Sequence, residues 1–240
     1  MVDNTRVVEA DRLLLSVAEH LKVPLTTIAR HVELERLNGG ATQLDASAIG
    51  LQADAALCLL DSYLLSLESM RDQMQLPLEP VSVSSLLADT AHDLYRFARQ
   101  YGVTVELETS GKCGPVMGNA RGLKAALLSL GFALVETQGL PPQGARRYRR
   151  LVVACKRAPQ GVVAGMYGDA NRMSEAAWRR ALRLCGNANQ PLAALYGSGA
   201  GLFVADVLLR AMQSHLKVGH FQGATGLTAT LQASRQLQFV

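Results

Sequence analysis

The apolar residues of this chain change their spacing once, near Pro77 and Pro80, and that change limits what it can fold into. Ahead of it, Leu14, Val17, Leu21, Leu25, Ile28 and Val32 recur at steps of three and four, which lays one apolar stripe along a helix. The segment Asn38-Gly39-Gly40-Ala41-Thr42 interrupts it, because paired glycines favour turns and helix C-caps. Asp45 or Ser47 can cap a second helix, whose stripe runs through Leu57, Leu60, Leu64, Leu67 and Met74. Two such helices joined by a short loop form an antiparallel hairpin, in which each helix covers only one side of the other. Two copies packed together complete a four-helix bundle, so a homodimer through residues 1–76 is expected.

The prolines end the second helix, and residues 77–240 then alternate strands and helices. Residues 81–83 read as a short extended segment, with Ser84 capping a helix that runs to Gln100. Residues 103–107 alternate as a half-buried strand does. Residues 121–135 read as an apolar helix, and 151–155 and 162–167 as strands. Helices follow at 174–184 and 202–212. Strands at 215–221 and 227–232 close the chain as a hairpin around Gly223 to Gly226. The fold class is α+β: an N-terminal helical hairpin, then a sandwich with helices on one face of a sheet.

With 49% hydrophobic and 18% charged residues, the chain can supply real cores, which excludes wholesale disorder. No run approaches the roughly 18 apolar residues a bilayer span requires, and residues 1–12 are polar, without a signal-type apolar region. A cytoplasmic protein with no membrane partner is expected. Cys58, Cys113, Cys155 and Cys185 are scattered without a CxxC pair, so they read as buried or half-exposed thiols rather than a zinc site or disulfide framework. The net charge of +4 gathers in Arg146, Arg147, Arg149, Arg150, Lys156 and Arg157. That run reads as a solvated strand edge; nucleic-acid binders spread their cations over a whole face, so a nucleic-acid partner is not expected. The histidines show no ligand spacing, so no metal site is expected, and Trp178 reads as a packing residue.

Two motifs carry a resemblance to a known family. Glu19-His20-Leu21-Lys22-Val23-Pro24-Leu25-Thr26 resembles the phosphoacceptor box of sensor histidine kinases, His-Glu-Leu-Arg/Lys-Thr-Pro-Leu-Thr. A proline inside a helical stripe costs about 3 kcal/mol in propensity, which makes the match more specific. Gly197-Ser198-Gly199-Ala200-Gly201-Leu202 resembles the family's second glycine box, Gly-x-Gly-x-Gly-Leu, and is followed by the terminal hairpin that the family carries. From about Asp11 to Leu231 the chain resembles a histidine kinase core: a dimerising helical hairpin and a Bergerat-type (GHKL) ATP-binding domain. The resemblance implies a loop at Gly197, Gly199 and Gly201 whose backbone approaches phosphate, with a helix N-terminus behind it.

The departures from the family pattern are as informative. Aligned on Pro24, Glu19 stands where the family has its histidine and His20 where it has its acid. One residue along a helix turns a side chain by about 100°. Ser129 and Ala133 occupy the two asparagine positions of the family's magnesium-holding helix, and Mg²⁺ needs oxygen ligands. Gly168, Ala170 and Arg172 stand at the Asp-x-Gly-x-Gly positions, with Asp169 one residue off, and the lid segment from Cys185 to Tyr196 is short and poor in cations. The resemblance therefore implies a two-component phosphorelay protein without ATP-dependent kinase activity or a cofactor. Its homodimer would bind the receiver domain of a response regulator. Two readings stay open. In one, His20 beside Glu19 is the phosphoacceptor of a histidine phosphotransferase, and Gly197, Gly199 and Gly201 are a vestigial nucleotide loop. In the other, the dimer transfers nothing and is an adaptor for a transcriptional regulator or, through its basic surface, a nucleic acid.

Overall fold

The computed structural model describes residues 18, 21–22, 24–34, 46–71, 76–110, 113–139, 149–168, 176 and 200–234. Residues 21–22 and 24–34 are helical, so helix lies on both sides of Pro24; the 24–34 stretch is α1. Helix α2 spans Ala46–Arg71. The expected turn at Asn38 to Thr42, the tail of the second stripe at Met74 and most of the expected 174–184 helix lie outside the described residues.

Strand β1 is Glu79–Val81, and α3 follows at Val83–Gln100. The cap of α3 is Ser82 rather than the expected Ser84. Ser82 is extended (φ −74°, ψ 102°) and its hydroxyl accepts from the Ser85 N–H, whereas Ser84 is already inside the helix. The remaining elements are β2 (Val103–Ser110), β3 (Val116–Gly118), α4 (Ala120–Gly139), β4 (Arg149–Ala158), β5 (Gly161–Gly168), α5 (Ala200–Ala211), β6 (Lys217–Phe221) and β7 (Ala224–Leu231).

Five strands form one sheet in the order β2-β4-β5-β7-β6, with β2 and β4 parallel and every other pair antiparallel. β1 and β3 make a separate two-stranded ribbon, Val81 opposite Val116. The terminal hairpin turns at Gln222 and Gly223, both at positive φ (46° and 81°), as a two-residue turn between twisted strands requires. Gly226, expected in that turn, lies instead in β7 opposite Tyr167 and Gly219.

Alternation along β4 assigns its faces. Leu151, Val153 and Cys155 join the main core with the helices, while Val152 and Ala154 join Tyr167, Phe221 and Ala224 on the opposite face. Helix α4 starts at Asn119, whose side chain accepts from the Gly122 N–H at 2.8 Å and whose amide donates to the Pro77 carbonyl at 3.2 Å. Residues 126–136 of α4 are all buried, the signature of a helix surrounded on every side. Helix α2 contributes to that enclosure: its Ala55, Leu59, Tyr63 and Leu65 belong to the same core as α3, α4 and α5.

Candidate functional site

The phosphoacceptor-like box is positioned by α1. Glu19 and His20 lie outside the described residues, as does Val23. Of the residues that follow, Pro24 is buried, while Lys22, Leu25 and Thr26 are exposed. Proline has no N–H to give to a carbonyl four residues back. Along α2, the expected stripe divides: Leu67 is half-buried and packs on the main core, while Leu57, Leu60 and Leu64 do not pack inward. Leu57 is 59% exposed, Leu60 37% and Leu64 51%, and Leu25 on α1 is 57% exposed. The inward side of α2 is made instead by Ala55, Leu59, Ser62, Tyr63 and Ser66. Exposed leucines at steps of three and four form an apolar strip on the surface.

The nucleotide-type locus is positioned by α4 and the start of α5. Gly197 and Gly199 lie outside the described residues, as do Asp169, Ala170, Arg172 and the lid segment. Gly201 is described and buried at the start of α5. A Cβ there would collide with the Ser129 carbonyl oxygen and stand 3.0 Å from the Ala133 Cβ. The fold thus brings the end of the glycine loop against the two positions singled out on α4. Facing Gly201 at position 133 is a methyl group with no oxygen for a metal. The Ser129 hydroxyl is fully buried and has no hydrogen-bond partner. Glu136, about one turn of helix beyond Ala133, is also buried. Burial, and then this carboxylate, push the Tyr101 phenol up to about 12, with Gln52 opposing. Gln52 itself donates to Gln100 at 2.8 Å, tying α2 to the end of α3.

A third feature was not legible in the sequence. A cavity of about 280 Å³ lies between α2, α3 and α4, with Leu51, Phe97, Leu128 and Phe132 as apolar lining and Asp54, His92, Asp93 and Arg96 as its polar part. Asp93 is paired with Lys124 at 2.9 Å. Cys58 also lines it, but burial, then Asp61 and Asp93, push its thiol up to about 11, so it stays protonated and unreactive near neutral pH. The signal that could have found this place is the meeting of two helix faces that are 30 to 40 residues apart in sequence, which periodicity does not report. In the basic run, Arg146 and Arg147 lie outside the described residues, and Arg150 pairs with Glu106 at 3.1 Å. His31, His92, His215 and His220 are exposed. Among the described residues no group of three or more His, Cys, Asp or Glu side chains could hold a metal ion, and no helix is long and apolar enough to cross a membrane.

No family model and no curated protein matches the chain. Solved structures do. The Acinetobacter baumannii histidine kinase AdeS is 14% identical, with a TM-score of 0.51, covering 90% of this chain and 97% of that one. Full-length ShkA in complex with AMPPNP is 19% identical, with a TM-score of 0.54, covering 81% of this chain and 40% of ShkA. Histidine kinase ThkA in complex with the response regulator TrrA is 11% identical, with a TM-score of 0.56, covering 90% of this chain and 60% of that one. The chain thus spans less than two thirds of the ShkA and ThkA chains, 40% and 60%. At these identities the likeness establishes architecture: the α+β arrangement with its mixed sheet is the fold found in histidine kinases.

Proposed function

We propose that the chain acts in two-component signalling as a homodimeric phosphorelay protein that docks a response-regulator receiver and does not itself use ATP. The observation that carries this reading is the α4–α5 contact. A histidine-kinase architecture sets the Ala133 methyl and the Ser129 backbone carbonyl against Gly201, at the two α4 positions where the family carries its metal-holding side chains. The Ala133 methyl offers Mg²⁺ no ligand where the family has an asparagine oxygen, and Mg²⁺ requires hard oxygen ligands in near-octahedral array. Each lost polar partner of a buried ligand removes about 1–3 kcal/mol. The exposed leucines of α2 support the homodimer, since a second copy laid on that strip would cover it. ThkA, whose fold this chain shares, was solved with a response regulator, which supports a receiver domain as the partner. Cytoplasmic placement belongs to the same reading.

Within it, His20 takes the phosphoryl group from an aspartyl phosphate of the receiver and returns it, as a histidine phosphotransferase does. Glu19, next to it in sequence, would accept the N–H of one ring nitrogen and leave the other unprotonated to attack the phosphorus, the aspartate carboxylate departing. The test is phosphotransfer with the full chain. Incubation with γ-labelled ATP should leave the protein unlabelled. Incubation with a labelled receiver should label it, and His20→Ala should abolish that label while leaving the dimer intact. Label from ATP alone would refute the absence of kinase activity. Receiver binding without any label would move the protein to the adaptor reading.

A further inference from the structure

We propose that Cys113 and Cys155 form an oxidation-responsive dithiol, a site at which a hydroperoxide closes a disulfide between the segment entering β3 and the central strand β4. The two sulfurs stand 3.1 Å apart, with the Cys155 thiol donating to the Cys113 sulfur. They are 42 residues apart in sequence, and the parallel β2–β4 register sets Thr109, four residues before Cys113, opposite Cys155. A further approach of about 1 Å reaches the S–S bond length of about 2.05 Å.

The two thiols are unequal, which orders the chemistry. Cys113 is half-buried and reaches solvent; Cys155 is buried in the sheet. Burial, and then the neighbouring sulfur, push the Cys155 thiol up to about 12, so it keeps its proton until an electrophile is placed beside it. Cys113 therefore meets the oxidant. Its sulfur attacks the peroxide O–O bond, which breaks to give a sulfenic acid; the departing oxygen leaves as water (or as the alcohol of an organic hydroperoxide) with the thiol's proton. The Cys155 sulfur then attacks the sulfenic sulfur. The S–O bond breaks, the hydroxyl leaves as water with the Cys155 proton, and the S–S bond forms. Two thiols are oxidised by two electrons while one peroxide is reduced. In a reducing compartment such a pair rests as the dithiol and closes only when oxidant rises.

Closure would have a defined mechanical result. Cys113 is three residues from β3, which pairs with β1, the strand that follows α2. That ribbon already holds to the chain leaving β7, Met117 N–H donating to the Gln232 carbonyl at 2.8 Å; a disulfide would add a covalent tie to β4. Among the described cysteines, Cys58 stands apart from this pair, on α2 in the cavity lined by α3 and α4 residues.

The experiment uses the full chain, reduced, freed of reductant and treated with hydrogen peroxide in small molar excess. Intact mass should fall by about 2 Da, and a non-reducing peptide map should show Cys113 joined to Cys155. The melting temperature should rise by about 5 °C or more, since the bond closes a long loop. Dithiothreitol should reverse all three changes. In Cys155→Ser the oxidation should stop at a sulfenic acid on Cys113 that dimedone traps. In Cys113→Ser, at a half-exposed position that tolerates the change, the 2 Da loss should vanish. Retention of both alkylatable thiols after treatment, or a cross-link that maps to Cys58 or Cys185 instead, would overturn the proposal. Neither outcome bears on phosphotransfer, so this inference stands or falls apart from the proposed function.

Discussion

Helices α2 and α4 are both long and rich in leucine and alanine, yet the chain treats them differently. Residues 126–136 of α4 are all buried by the sheet, α3, α5 and α2. Helix α2 is buried on the side that faces α4 and carries Leu57, Leu60 and Leu64 on the side that does not. Scattered surface leucines are ordinary; three on one strip of one helix are a face without a layer above it. The contrast separates two kinds of apolar sequence. One is satisfied inside a single chain. The other becomes satisfied when a second surface arrives, and the proposed dimer supplies one.

The largest predicted effect lies on the satisfied side. Leu130→Ala, in the middle of α4 and 2% exposed, should cost about 2–5 kcal/mol in urea unfolding. A cost below about 1 kcal/mol would mean that α4 is not the centre of the core. Next comes the α4–α5 contact. Gly201→Ala places a methyl against the Ser129 carbonyl and the Ala133 Cβ, and backbone cannot yield as a flexible side chain can. Overpacking of this kind costs about 1–3 kcal/mol. An unchanged unfolding midpoint would show that the helices stand farther apart than described.

The same contrast explains what the sequence could and could not disclose. Helix α4 and strands β4, β5 and β7 were legible because their apolar residues are numerous and regularly spaced. The stripe of α2 was legible too, but three of its leucines, Leu57, Leu60 and Leu64, face outward. The inward face escaped because Leu59, Tyr63 and Leu65 are interleaved there with buried alanine and serine. Ser62 donates to the Cys58 carbonyl and Ser66 to the Ser62 carbonyl, each at 2.8 Å, so hydroxyls can be buried there without losing a partner. A count of hydrophobic residues passes over such a face. The approach of Gly201 to Ala133 was legible only through the family resemblance, and the Cys113–Cys155 meeting not at all, since only the sheet register creates it.

Cys58 gives a titration test of the inward face of α2. Its folded pKa is raised from 9.0 to about 11, chiefly by burial. The folded state therefore holds this proton more tightly than the unfolded state. The associated stability is complete below pH 9 and drains away as pH rises toward 11. The wild-type unfolding midpoint should fall more steeply over that interval than that of Cys58→Ala, which has no thiol to ionise. At pH 8 the thiol should also alkylate about 100-fold more slowly than an ordinary one, because its thiolate fraction is that much lower. Equal slopes and an ordinary alkylation rate would place Cys58 in solvent and turn α2 around.

The smallest effect on folding is the most telling for the comparison. Replacing Leu57, Leu60 and Leu64 together by glutamine removes apolar surface that the single chain leaves in water. Measured at protein concentrations where only monomer is present, unfolding should therefore shift by no more than about 0.5 kcal/mol per site. Self-association should respond in the opposite way. Sedimentation of the wild type should show a dimer whose melting temperature rises with concentration, because anything that binds only the native state stabilises it by mass action. The triple variant should sediment as a monomer whose melting temperature does not depend on concentration. If the variant unfolds far more readily than the wild-type monomer, those leucines are already covered within one chain, and α2 is a buried helix like α4. If wild type and variant are monomers alike, the strip belongs to a different partner, for which the receiver domain on an exposed bundle face is the first to test.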